Sequence, residues 1–215
     1  YLALVLLCLQ AFGPLVWMAL GSLKSDTEFY TNIWGLPTSL TLRNYPDAWE
    51  EGNAGTYLTN SLMVVALGLA ILLVVCILAG YALARLDFPG RSVIFGMVLA
   101  TMMIPFPVIM GPMYVIFAKL GWIGSLKPLW VPAWFGGAFN IFMLRQFYLG
   151  IPKDLDEAAR IDGCGHWKVF WKIILPLSTP ALAVVALFHF IYVWNDFLAP
   201  LIFLTHRDQF TLALG

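Results

Sequence analysis

Long stretches without a charged residue alternate with short polar ones along this chain. Residues 1–23, 52–84, 92–118 and 173–195 carry no charge. Residues 120–144 hold only Lys127, and Asp196 alone interrupts the apolar run on to Leu204. A helix that crosses a bilayer needs about 20 mostly apolar residues. The pattern therefore predicts five spans, at about 1–20, 57–84, 92–118, 128–148 and 177–201. Strings such as SLMVVALGLAILLVVCILAGYALA are apolar on every face, as suits a helix in lipid or inside a bundle. A barrel strand would instead alternate polar and apolar over about ten residues. A very apolar soluble core is the bland alternative, but buried soluble helices seldom repeat at this length. The expected fold class is an all-α membrane protein, a polytopic helical bundle. Within the second span Gly68 and Gly80, with Ala66, Ala70, Ala79 and Ala82, offer small surfaces for close helix packing. Residues 1–20 lack the basic lead and small-residue cleavage site of a signal peptide, so they are read as a first span whose start is cut short.

Composition agrees. Of the 215 residues 61% are hydrophobic and 11% charged, against about 25% charged in a soluble domain. Disorder is excluded by the apolar content. Twelve basic residues against twelve acidic leave no surplus to neutralise nucleic-acid phosphates. Cys8, Cys76 and Cys164 are too few and too scattered for a disulfide framework.

The placement of the charges says more than their total. Basic residues favour the cytoplasmic side of a membrane. Arg85, Arg91, Arg145, Lys153, Arg160, Lys168 and Lys172 all fall in the segments 85–91 and 145–172. Lys24, Arg43, Lys119, Lys127 and Arg207 are spread over the other connections. Residues 85–91 and 145–172 are therefore expected in the cytoplasm, with 21–56 and 119–127 outside. The long loop 21–56 reads as an external cap with a short helix near TLRNYPDAWEE. Trp122, Trp130 and Trp134 fit an interfacial aromatic belt.

Residues 145–176 break the pattern, being polar enough for water yet too organised for a linker. Pro152 precedes a helix start, Asp154 and Glu157 have the spacing of a capping box, and Gly163 stands where a C-terminal cap belongs. A second helix is expected over 166–175, stopping at Pro176. The segment 150–176 thus reads as a short helical elbow.

The elbow's sequence resembles a known family. Glu157-Ala158-Ala159, three residues, Gly163, nine residues and Ile173-x-Leu175-Pro176 match the EAA motif of inner-membrane permeases of binding-protein-dependent ABC importers. RNYPDAW at 43–49, NSLMVVAL at 60–67, AGYALARLDFPGR at 79–91, LRQFYLGIPKDLDEAARIDG at 144–163 and WNDFLAPLIF at 194–203 look like its carbohydrate, maltose-type branch. The likeness implies the type I importer permease fold, with a sixth span expected beyond the five visible. Residues 1–56 would supply the first transmembrane helix and an extracytoplasmic loop, and 57–215 the permease core. It further implies that the elbow is a coupling helix, with Glu157, Ala158, Ala159 and Gly163 meeting an ATPase subunit. The implied partners are a second permease subunit, two ATPase subunits that bind ATP and magnesium, and an extracytoplasmic solute-binding protein. The implied cargo is a sugar or similar polar solute, and the location a bacterial or archaeal plasma membrane. Local chemistry leaves a plainer reading open, in which Glu157 and Gly163 only begin and end their own helix.

No enzymatic constellation competes. There is no G-x-x-x-x-G-K-[ST] phosphate loop and no H-E-x-x-H metal site, and His166, His189 and His206 are isolated in sequence. Polar groups inside a span are functional candidates. His189, Tyr192 and Asp196 share a helical face by spacing, Asn195 lies beside it, and Trp194 offers a ring on which a sugar could stack. Interhelical hydrogen bonding is the bland alternative for all of them. Pro105, Pro107 and Pro112 remove backbone donors and are expected to kink the third span. The rival class is a secondary transporter or other stand-alone membrane protein. Such proteins often carry internal repeats and paired ionisable groups; no repeat is visible here, and Asp196 is the one acid within a span.

Overall fold

The computed structural model describes the backbone of residues 1–215 and all side chains except those of residues 2 and 3. The described residues form helices and turns, with no strand among them. Two compact units divide the chain, residues 1–55 and 56–215.

The first unit holds α1 (Leu2–Gly21), α2 (Asp26–Thr31) and α3 (Asn44–Glu50). The helix expected near TLRNYPDAWEE is α3. Sequence reading missed α2, which Ser25 opens by accepting the Glu28 N–H on its hydroxyl at 3.4 Å. The loop is folded by polar side chains that serve its backbone. Lys24 is buried and its Nζ donates to the Asn32 carbonyl at 2.5 Å. Asn44 donates to the Ser22 and Lys24 carbonyls, and the Trp17 indole N–H to Ile33 at 2.9 Å. Glu28 Oε1 accepts the Thr38 N–H at 2.6 Å, which holds this carboxyl below its ordinary range.

The second unit is built on α4 (Ala54–Arg85), one unbroken helix of 32 residues. It is long and apolar enough to cross a membrane, as is the window Leu4–Gly21 of α1. The other predicted spans are broken. The run 92–118 forms α5 (Arg91–Thr101) and α6 (Phe106–Lys119), bent by 96° at the break. The run 128–148 begins as α7 (Lys127–Trp130), tightens to a 3-10 turn over Val131–Phe135, and restarts as α8 (Ala138–Gly150). Pro128, Pro132 and the left-handed Gly136 (φ +74°) account for that interruption. Two helices qualify as spans by length and composition, or up to four if each bent pair counts as one span.

The elbow is α9 (Asp154–Ile161), then α10 (His166–Val169), a π-helical stretch Phe170–Ile174, and α11 (Leu175–Leu177). The expected capping box does not form. Lys153, not Asp154, holds the N-cap position, and it does so in helical conformation with no side-chain bond. An N-cap side chain reaches the first turn only from an extended residue. The expected stop at Pro176 is also corrected. The helix runs on to Leu177, and the wider π turn just before it leaves room for the proline ring. Ser178 Oγ donates to the Ile174 carbonyl at 2.5 Å, and α12 (Thr179–Trp194) leaves at 68°. Following α12, α13 (Leu198–Phe203) is short.

The core of this unit joins the C-terminal half of α4 to α8, the elbow and α12. Leu72, Cys76, Tyr81, Leu144, Tyr148, Phe170, Ile174 and Val185 are all buried there. Gly80 makes the approach possible, since a methyl group on it would lie 3.1 Å from Leu144 Cβ. At the other end of α4, the Asn60 amide donates to the carbonyls of Asp208 and Phe210, and Ser61 Oγ accepts the Leu212 N–H at 2.8 Å.

Candidate functional site

Two places gather the residues singled out by sequence. At the elbow, α9 ends in a Schellman motif. The Cys164 N–H reaches the Ala159 carbonyl at 2.9 Å and the Gly163 N–H reaches Arg160 at 3.0 Å, with Gly163 at φ +78°. Of the four candidate coupling residues, Glu157, Ala158 and Gly163 are exposed, while Ala159 is 6% exposed and belongs to the core. The exposed three are rimmed by outward apolar side chains: Leu155, Trp167, Trp171 and Ile161, the last 87% exposed.

The inner side of the elbow is fixed by a residue that sequence reading used only to assign sidedness. Arg85, the last residue of α4, has a side chain only 4% exposed and pairs with Asp156 at 3.1 Å. Its other terminal nitrogen donates to the Ile151 carbonyl at 2.5 Å. Tyr81, one helical turn earlier, packs its ring 4.8 Å from that of Phe170. Arg145 adds a tie, donating to the Leu83 carbonyl at 3.2 Å with its guanidinium 3.9 Å over the Phe95 ring. The elbow is thus clamped to the end of the longest helix.

The second place is a cavity of about 400 Å³ among α4, α6, α7, α8 and α12–α13. His189, Tyr192 and Asp196 all line it, as their spacing suggested. Trp194 and Asn195 do not: Trp194 stacks on Phe190 at 5.2 Å, and the Asn195 amide turns back to the Ile191 carbonyl at 2.8 Å. Asn140 and Thr211 line the cavity without having been singled out. Asp196 Oδ1 accepts the Ala199 N–H at 3.2 Å, which also organises the start of α13. The proline run contributes through one position. Pro105 is the N-cap of α6 at the 96° bend, and Phe106 beside it lines the cavity. Pro107 sits harmlessly in the first turn of α6. Pro112 lies inside α6, which continues through it.

The EAA spacing implied a helical elbow, and the structure has one at 154–177, clamped to a broken-helix bundle around a cavity. The sequence signature of the binding-protein-dependent transport system inner membrane component matches residues 76–214, which take in the elbow and the cavity lining except Val64 and Leu72. The chain belongs to this family of permeases. The permease is 33% identical over 213 residues to the diacetylchitobiose uptake system permease protein NgcG of Streptomyces coelicolor, covering 99% of this chain and 70% of that one. It is 38% identical over 211 residues to the arabinooligosaccharides transport system permease protein AraQ of Halalkalibacterium halodurans, covering 95% and 75%. Its fold matches a chain in the crystal structure of a bacterial ABC transporter involved in the import of the acidic polysaccharide alginate. That match has a TM-score of 0.88 at 24% identity, over 98% of this chain and 75% of that one. The permease is therefore a membrane-embedded subunit of an ATP-driven importer, and the stand-alone transporter reading is not favoured.

Proposed function

We propose that this permease forms half of the path for a sugar in a bacterial inner-membrane importer. It pairs there with a second permease subunit, two ATPase subunits that bind ATP and magnesium, and an extracytoplasmic solute-binding protein. Relatives named for diacetylchitobiose and arabinooligosaccharide uptake support the carbohydrate class. The single observation that carries the coupling role is the two-sided elbow. Its inner face is locked to α4 by the Arg85–Asp156 pair, and its outer face offers Glu157, Ala158 and Gly163 inside an apolar rim.

That form suits force transfer. Small side chains at Ala158 and Gly163 let a partner's backbone approach, and Ile161, Trp167 and Trp171 bury apolar area when a groove covers them. Closure of the ATPases on ATP would then shift a rigid elbow, and with it α4 and the helices around the cavity. The test uses the whole assembly in proteoliposomes with Ile161→Glu. Ile161 is 87% exposed, so the substitution leaves the fold alone. Sugar uptake and ATPase stimulation by the binding protein are expected to fall together. Unchanged values for both overturn the coupling role.

A further inference from the structure

One face of the permease joins an apolar groove to a cation that nothing in the chain neutralises. The groove lies between α5 and α8 and holds about 300 Å³. Ile94, Met97 and Thr101 form one wall, a turn apart on a single helical face, and Phe135 and Ile141 form the other. Its lip is bare: Phe135 is 84% exposed and Met97 57%. From Ile94 to Thr101 the wall runs about 10 Å, against about 15 Å for one leaflet's half of the hydrocarbon core.

Charge meets the groove at one end. Arg145 stands one turn beyond Ile141 on α8, and its guanidinium lies 3.9 Å over the ring of Phe95, the neighbour of Ile94 on α5. Nε donates to the Leu83 carbonyl at 3.2 Å. The two terminal nitrogens make no hydrogen bond, and no carboxylate among the described residues pairs with them. Unlike Arg85 Nε, they are not sealed from the surface. Arg91, one turn before Phe95, brings a second cation. Its Nη1 donates to the Leu86 carbonyl and to Asp87, both at 2.9 Å, but Asp87 is almost wholly exposed, so that pair is weak. A guanidinium set against apolar rings in a membrane calls for an anion, and its fork matches phosphate. A protein partner would have to bring a costly carboxylate to this depth. A phospholipid already has the polarity of this face, an anionic group at the interface and a chain running inward. Basic pockets between helices on the cytoplasmic side, where 85–91 and 145–172 are read to lie, favour such headgroups.

We propose that this face holds one anionic phospholipid, with its phosphate between Arg145 and Arg91 and one acyl chain in the groove of α5 and α8. The site rests on the membrane-embedded fold and does not depend on the cargo. Arg145 also holds the Leu83 carbonyl of α4, so the lipid braces α5 and α8 against the end of α4 that carries the elbow.

The test reconstitutes the intact importer in phosphatidylcholine nanodiscs. These carry a trace of phosphatidylglycerol or of phosphatidylcholine with a photoreactive diazirine in the acyl chain. Nanodiscs offer both leaflets alike, so the result is independent of the sidedness reading. After irradiation the labelled peptides are mapped by mass spectrometry. The phosphatidylglycerol probe is expected to label 94–101 and 135–141 about fivefold more than the phosphatidylcholine probe, the factor that one arginine near the surface supplies. Arg145→Gln should bring the two probes near parity, with Arg145→Lys, which keeps the charge, in between. Met97→Trp fills the groove from an exposed position. It should cut the labelling of 135–141 several-fold and leave the melting temperature of the assembly unchanged. Equal labelling by the two probes in the wild type overturns the site, as does undiminished labelling in Met97→Trp. Labelling of neither segment by either probe means that protein covers this face, and overturns it as well. If Arg145→Gln does not assemble, the wild-type comparison and Met97→Trp still decide.

Discussion

A single backbone angle at Gly163 sets the shape of the elbow. Its φ of +78° is left-handed, and space is open where a side chain would project. Substitution there is therefore penalised by conformation and not by collision, at about 1–2 kcal/mol for an ordinary residue. Asparagine visits that region more readily. Gly163→Val is expected to lower ATPase stimulation and uptake strongly, with Gly163→Asn retaining most of both. Equal loss in the two variants would show that size, not backbone conformation, matters there. Glu28 supplies a prediction in the first unit. Its carboxyl sits below the ordinary value of 4.5 because the Thr38 N–H points at it. A lowered folded value means that this contact stabilises fully above the unfolded range and is lost as pH falls through the folded value. Following the Thr38 amide by NMR during acidification should show a midpoint below 4.5, absent in Glu28→Gln; a midpoint at or above 4.5 refutes the assignment.

Elements carry the next prediction, since α4 and α9 meet only through a few groups. Arg85 is almost fully buried and Asp156 nearly so. Removing one partner of such a pair strands the other charge, at about 3–5 kcal/mol, whereas removing both is far milder. Arg85→Met is expected to lower the melting temperature and to loosen the elbow against protease. Arg85→Met with Asp156→Leu should recover much of the stability, while coupling stays impaired. Equal stability of wild type and Arg85→Met would remove the clamp. This pair also shows where sequence reading stops. Positions 71 residues apart meet, and no local spacing announces it. The same holds for Thr211, brought to the cavity of His189 by the chain's return along α4. Local signals behaved unevenly for a physical reason. The apolar runs were legible because lipid demands them, and Gly163 because left-handed backbone nearly selects glycine. The Asp154–Glu157 capping box was misread, since its letters do not say whether the chain enters extended or already helical. Prolines marked the interruption of 92–118, though a string of apolar letters does not give a bend of 96°, while the break within 128–148 at Pro128, Pro132 and Gly136 went unread.

For the molecule as a whole, the claim at stake is sidedness, which rests on the crowding of basic residues at 85–91 and 145–172. The chain's own cysteines test it. Cys76 is buried in the core, Cys8 lies in the apolar run of α1, and Cys164 is partly exposed at the elbow. Maleimides attack the thiolate, which water supports and lipid does not. A membrane-impermeant maleimide should therefore label wild-type permease at Cys164 and essentially nowhere else. Labelling is expected in inside-out vesicles and not in right-side-out ones. Leu40→Cys, in the exposed part of the loop 21–56, should show the reverse in a Cys164→Ser background. The ATPases add a second dimension to the same measurement. If the elbow docks on them, Cys164 labelling should be slow in the intact importer and rise several-fold once they are stripped from the membrane. Labelling of Cys164 from outside would invert the topology and move the elbow to the side where no ATP is hydrolysed. Labelling from inside at a rate indifferent to the ATPases would keep the topology and remove the elbow from their interface.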